Sequence, residues 1–469
     1  MKRVYVLIRD NRKPCREISA ITGKKSFGNT IYKRVSLKKR LIDEFADDES
    51  VIAAEEETEF VRRTAGSIDA AVLVVYTDFI VYDSNELKII TKKACFSHEN
   101  YRLIGEGRLC GVIFSDMKAY LDAAEAEYEK YSEVATKAFK DISDPTAFRN
   151  YITGGFDARF FNMLSGDNHT VVKKSENIEK IKKEYEFYYL LPEDMKQWFV
   201  RPYDYKEEGA SASYSMKRYH MADLAIRYVH GAIKSAEFDE IMDNLFYFIV
   251  HRKVKKVSNE EYEIAATGLY IAKVDERIEK LKTMKDYDRI ALQIEALTPY
   301  KNIDEIVDKY KLLYKSIREG KNFEPVQVVG HGDLCFSNIL YNHDANLCML
   351  IDPRGALTED DLYMDPYYDL AKLSHSICGH YDYFNSDLYS ITMDANMQAK
   401  IDVDCDNREY VRIFKNYLEK NGLDLRLIRL YEASLFLSML PLHMDRPQKV
   451  FAFILNAIAI LDSLSRDGA

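Results

Sequence analysis

Residues 329–338 read VGHGDLCFSN, and residues 350–355 read LIDPRG. Together they set His331, Asp333, Asn338 and Asp352 in a fixed order, with a short apolar run between the third and the fourth. Phosphoryl transfer to an alcohol asks for these parts. One carboxylate must align the attacking hydroxyl and accept its proton. An amide oxygen and a second carboxylate must hold a divalent cation against the phosphates. Asp and Asn are also common turn residues, so a plain hairpin is the competing reading of any one of them. The ordered set of four goes beyond what a hairpin requires.

The runs HGDLCFSNILY, LIDPRG and DPYYDLAKLSHS resemble the aminoglycoside phosphotransferase and choline kinase group. They are most similar to members found among bacterial surface-polysaccharide genes. The resemblance is strong over residues 320–385, weaker over 145–320 and 385–469, and does not reach the first 130 residues. It implies an α+β, bilobal protein-kinase-like fold, with a small β-rich lobe and a large helical lobe. It also implies ATP and Mg²⁺ as cofactors and a small-molecule hydroxyl as acceptor, on a sugar or amino-alcohol destined for surface or capsular polysaccharide. Asp333 is then the expected catalytic base, with Asn338 and Asp352 as metal ligands, whose hard oxygens suit Mg²⁺. His331 is the second catalytic candidate, although in related folds it packs beneath the loop. Pro353 and Arg354 stand where protein kinases have Phe-Gly, which favours a small-molecule kinase. Arg354 is open to two readings, stabilising the transferring phosphoryl group or pairing with an acid. Asp365 and Asp369 are expected to tie the loop to the large lobe, and Asp369 is also kept as a substrate-site candidate.

Bulk properties narrow the field. A chain of 469 residues is long enough for two or three domains. Its net charge of −10 leaves no basic surplus for nucleic acid or an anionic membrane. Seven scattered cysteines without a C-x-x-C pair argue against a disulfide framework or a zinc site. The start MKRVYVLIRD runs into charge too soon for a signal peptide, and no apolar stretch reads as a spanning helix. Membrane insertion is therefore not expected, and the expected compartment is the cytoplasm. The oligomeric state is left open, a homo-oligomer included.

Three regions are expected. Residues 1–135 read as a small α/β domain, with strands at 3–8, 70–76 and 110–114 and a closing helix at 117–131. GKKS at 23–26 lacks the earlier glycine of a phosphate loop, since that position is Ile18. The strand ending at Asp78 is faintly similar to nucleotide-sugar-handling folds in which such a carboxylate holds a metal. A turn aspartate is the simpler reading, and a decayed nucleotidyltransferase-like scaffold is the specific one.

Residues 136–222 fit a kinase-like small lobe after a linker at 141–145. Strands at 148–152 and 159–164 would flank Gly154 and Gly155, whose backbone could approach phosphate oxygens. The next strand, at 170–174, carries Lys173, the first choice, and Lys174, the alternate, of which alternation lets only one face the cleft. The resemblance gives that lysine a phosphate contact and a glutamate partner on the helix at 178–191, with Glu184 ahead of Glu179 and Glu186. A strand at 213–219 leads to a hinge, where Met216 and Arg218 would lie against the adenine.

Residues 223–469 fit the helical lobe, with helices at 237–252, 275–297 and 304–319. His443, Asp445 and Arg446 lie on a turn between apolar helices, and His443 and Asp445 are substrate-site candidates. His375, His380 and Asp382 invite a metal reading, but the two imidazoles are five apart and do not share a helix face. Two further functions compete with a small-molecule kinase. One is a nucleotide-binding pseudokinase scaffold, and the other is nucleotidyl transfer from the same metal site.

Overall fold

The computed structural model describes residues 2–32, 34–46, 51–54, 57–64, 69–152, 163–166 (backbone only) and 169–466. Gly154 and Gly155 lie outside these residues, as does part of the strand expected at 159–164. The protein is mixed α and β, 49% helix and 21% strand. Its contacts group into two units: Met1–Asp157 with Ile226–Ala232, and Ala158–Ala225 with Ile233–Ala469.

The first unit is built on a six-stranded sheet in the order Val51–Ala54, Val4–Arg9, Ala71–Tyr76, Arg108–Phe114, Tyr101–Gly105, Ser132–Ala135. Val4–Arg9 runs parallel to both neighbours, and Arg108–Phe114 is antiparallel to Ala71–Tyr76. Every residue of Ala71–Tyr76 is buried, as its unbroken apolar run demands of an interior strand. The expected boundary at 135 falls before Phe139–Asp141, which pairs with Phe79–Val81 within this unit.

Two expected elements differ. The closing helix at 117–131 is a short helix, Met117–Asp122, then a 3₁₀ turn, Glu125–Lys130, because Ala123 and Ala124 take extended backbone between them. The strand expected at 148–152 is part of the helix Pro145–Ile152. Asp144 accepts hydrogen bonds from the N–H groups of Thr146 and Ala147, and Pro145 begins the helix.

The second unit has a β-rich lobe and a helical lobe, the bilobal α+β arrangement expected. The β-rich lobe is an antiparallel sheet in the order Met163–Gly166, Thr170–Ser175, Ser211–Lys217, Pro202–Glu208, with the helix Ile178–Leu190 packed on it. That helix starts where Asn177 accepts from the N–H of Lys180. It buries Ile181, Glu184 and Phe187, spaced to share one face.

In the helical lobe, one core gathers side chains from Lys273–Lys282, Tyr287–Leu297, Ile303–Arg318, Leu425–Met439 and Pro447–Arg466. Tyr270 stacks on Tyr431 at 3.9 Å inside it. The segment expected as one helix at 275–297 is two, broken around Asp286, whose φ is +70°. Contrary to the hydropathy reading, Pro447–Arg466 is long and apolar enough to cross a membrane. Its most apolar window is 72% buried within the protein, where it packs as a core helix.

Two small sheets complete the unit. Ala222–Asp223, Ile339–Asn342 and Leu347–Leu350 form one, and Val254–Lys256, Val326–Val329 and Tyr363–Met364 form the other. The loop 330–338 leaves the second sheet and enters the first, so its ends are fixed by strands on both sides.

Candidate functional site

Register decides between the two lysines. Lys173 lies opposite Tyr214, whose hydroxyl donates to Glu184 at 3.1 Å. Lys173 is 3% exposed, and its Nζ sits 2.7 Å from Glu184 and 2.8 Å from Asp352. Burial works against its charge, yet Asp352 and Glu184 together hold the ammonium pKa above its ordinary value. Lys174 points the other way, 35% exposed and 3.9 Å from Glu208. Glu179 pairs with Lys183 on the helix surface.

Asp352 follows the strand Leu347–Leu350 and takes a φ of +54°, a left-handed conformation that aspartate tolerates better than most residues. One of its oxygens meets Lys173, while the side chain stays 43% exposed. Gly355, at φ +86°, passes so close to the helix Ile178–Leu190 that a Cβ would come within 2.7 Å of the Lys183 carbonyl carbon. The next N–H, of Ala356, donates to the Lys183 carbonyl at 3.0 Å. The D-P-R-G segment is thus tied to the helix that carries Glu184. Arg354 donates its backbone N–H to the carbonyl of His331, and its side chain is exposed.

The loop carrying Asp333 is held from several sides. Asp369, fully buried, accepts the N–H groups of His331 at 2.9 Å and Gly332 at 2.8 Å, and pairs with the buried Arg252 at 3.1 Å. Asp369, also considered for the substrate site, has both oxygens engaged by the loop and the arginine. Asp365 is also enclosed, accepting from the Tyr270 hydroxyl at 2.9 Å, and burial pushes its pKa up to about 6.

His331 is fully buried and stacks on Phe199, with ring centroids 5.9 Å apart. Its Nδ1 accepts from the N–H of Asp333 at 3.1 Å, which leaves Nε2 as the protonated nitrogen, donating to the Ile351 carbonyl at 2.9 Å. Burial lowers its pKa, so the ring is neutral. Both nitrogens are committed to backbone. His331 thus links the Asp333 loop to Ile351, the residue before Asp352.

Asp333 reaches outward, its side chain 44% exposed. Oδ1 meets the Nζ of Lys372 at 2.8 Å, and Oδ2 accepts from the Asn338 side-chain amide at 3.1 Å. Burial alone would raise its pKa, but Lys372 outweighs it and keeps the carboxyl below its ordinary value. Asn338 also donates to the Asp333 carbonyl at 2.8 Å. With its nitrogen so used, its side-chain oxygen is the atom left to face a cation. Lys372 is a participant that sequence reading missed, as are Tyr214 and Arg252.

The remaining candidates scatter. Met216 lines a narrow pocket of about 20 Å³ with Glu184, Tyr214 and Asp352, and the Arg218 N–H donates to the His169 carbonyl at 2.8 Å. His443 sits against Phe453 at 5.3 Å, Asp445 is exposed, and Arg446 pairs with Asp387 at 2.6 Å. His375 is sealed between Tyr381 and Phe436, each ring centroid 4.2 Å away. Among the described residues no group of three His, Cys, Asp or Glu side chains is placed to hold a metal ion. In the first unit, Asp78 is buried and clamped by Arg12 at 2.9 Å and Arg108 at 2.8 Å. Its charge is met by guanidinium groups, which removes the reason to read it as a metal ligand.

No protein-family model matches the chain, and no curated protein matches it. Among solved structures, a thermostable mutant of the aminoglycoside phosphotransferase APH(4)-Ia, in ternary complex with AMP-PNP and hygromycin B, is 12% identical, with a TM-score of 0.42 over 64% of this chain and 88% of that one. An aminoglycoside-3'-phosphotransferase of type VIII is 12% identical, with a TM-score of 0.35 over 59% of this chain and 87% of that one.

Proposed function

We propose that the second unit is an ATP- and Mg²⁺-dependent phosphotransferase that phosphorylates a hydroxyl of a small molecule, a sugar or an amino-alcohol. One observation carries the reading. Lys173 is buried between Glu184 and Asp352, the latter 179 residues away in sequence, and Asp352 is tied through Ile351 and His331 to the loop of Asp333. A buried ammonium between two carboxylates, one of them 43% exposed, is suited to exchange that carboxylate for phosphate oxygens.

The donor set fits the cofactor. Asn338 and Asp352 offer the hard oxygens that Mg²⁺ takes, each with at least one oxygen not bound to a protein donor in the contacts described above. Bound there, the ion would neutralise charge on the phosphate oxygens. Lys173 would hold the phosphates, with Glu184 fixing its direction. Asp333 would align the acceptor hydroxyl. As the acceptor oxygen bonds to the terminal phosphorus, the bond to the bridging oxygen breaks, ADP leaves, and the hydroxyl proton passes to Asp333. Arg354, exposed beside Asp352, is assigned to the acceptor or the transferring group. The sequence resemblance supplies the finer assignment, a role in surface-polysaccharide assembly.

The test is a product screen with Mg-ATP and a panel of sugars, alditols and amino-alcohols, run on the wild type and Asp333→Asn. Phosphorylated product should form and fall by about 100-fold or more in the variant. ATP binding without turnover in the wild type would favour the scaffold reading, and a nucleotidylated product would identify nucleotidyl transfer.

A further inference from the structure

The helix Tyr368–Ile377 grips the Asp333 loop at three points along one face. Asp369 takes the N–H groups of His331 and Gly332. One turn later Lys372 meets Asp333 Oδ1 at 2.8 Å, and one turn beyond that the Ser376 hydroxyl accepts the N–H of Phe336 at 3.1 Å. The offsets i, i+3 and i+7 keep these side chains on a single stripe. Two of the grips hold backbone. The third holds the side chain to which the chemistry is assigned.

The loop itself, Leu334, Cys335, Phe336 and Ser337 between Asp333 and Asn338, carries no cation. Lys372 is the ammonium that reaches Asp333 from outside the loop, and its own side chain is only 18% exposed. Tyr368 lies along its flank, with the ring centroid 6.0 Å from Nζ. A lysine so confined has one strong partner and little freedom to leave it. Its hold on Oδ1, with Asn338 on Oδ2, fixes the plane of the carboxylate. A base that must meet an acceptor hydroxyl within hydrogen-bond reach depends on that plane.

We propose that Lys372 is a positioning residue for phosphoryl transfer, supplied by the helix Tyr368–Ile377, and that it acts through Asp333. This rests on the phosphotransferase reading above. A merely structural lysine would support folding alone, and the two roles separate experimentally.

The test compares Lys372→Met and Lys372→Arg, alone and on Asp333→Asn, by steady-state turnover of Mg-ATP with the acceptor found in the product screen, or with water as acceptor. Thermal unfolding of each variant establishes that it is folded. Lys372→Met should lower kcat by about 100-fold with the KM for ATP changed less than about threefold, and Lys372→Arg should recover at least about tenfold of that loss. Added to Asp333→Asn, Lys372→Met should cost less than about threefold more, since its effect passes through the missing carboxylate. Wild-type kcat in Lys372→Met, equal losses in the Met and Arg variants, or full additivity with Asp333→Asn would each overturn the proposal. Wild-type turnover in Asp333→Asn is a different failure: it removes Asp333 from the chemistry, and the phosphotransferase mechanism falls before Lys372 is at issue.

Discussion

Lys173 and Lys174 are adjacent in sequence and opposite in surroundings. One is enclosed with two carboxylates, while the other stands at the sheet surface. Strand alternation made it legible that only one could turn inward. The sequence reading put Lys173 first, and its pairing opposite Tyr214 is a register that no local pattern encodes. The charge-assisted contact proposed for Lys173 predicts that Lys173→Ala raises the KM for ATP by about 10- to 100-fold, while Lys174→Ala changes it less than about threefold. Steady-state kinetics on the two variants check this, and the reverse pattern would reassign the phosphate contact to Lys174. The four motif residues were readable because they lie close together in the chain. Lys372 was not, because its meaning depends on a contact with Asp333 that only the folded helix creates.

Elements were legible where hydrophobic period and caps agreed. Thr170–Ser175, Ile178–Leu190 and Ser211–Lys217 lie within a few residues of their expected bounds. The error at 148–152 arose because Asp144-Pro145 was read as the end of a segment, when it is the start of a helix. The helix Tyr381–Asn385 shows a cost that sequence conceals. Its Asp382 is buried, and burial pushes its pKa up from 3.8 to about 7 against the opposing pull of the Ser376 hydroxyl. The folded state therefore keeps this proton to higher pH than the unfolded chain does. Its destabilising contribution is absent below about pH 4, grows as the pH rises, and is complete above about pH 7. Asp382→Asn should stabilise the protein at pH 8 by on the order of 2–4 kcal/mol and leave it nearly unchanged at pH 4. Urea unfolding at the two pH values measures the difference, and an equal effect at both would refute the buried-proton account.

At the scale of the whole molecule, the second unit carries every residue assigned to the chemistry, from Lys173 to Lys372. The first unit carries a buried sheet whose one suggestive carboxylate, Asp78, is neutralised by Arg12 and Arg108. A ligand held only by the second unit should stabilise that unit's core. At Mg-ATP concentrations about 100 times Kd, linkage adds about 2.7 kcal/mol to a folded state that alone binds it. For a unit of this size that corresponds to a rise in its unfolding temperature of roughly 4 °C. Differential scanning calorimetry should show this shift in the wild type and lose most of it in Lys173→Ala. If unfolding proceeds in two steps, one step should move with Mg-ATP while the other stays fixed. A shift retained in full by Lys173→Ala would mean that the nucleotide is held elsewhere than between Lys173 and Asp352.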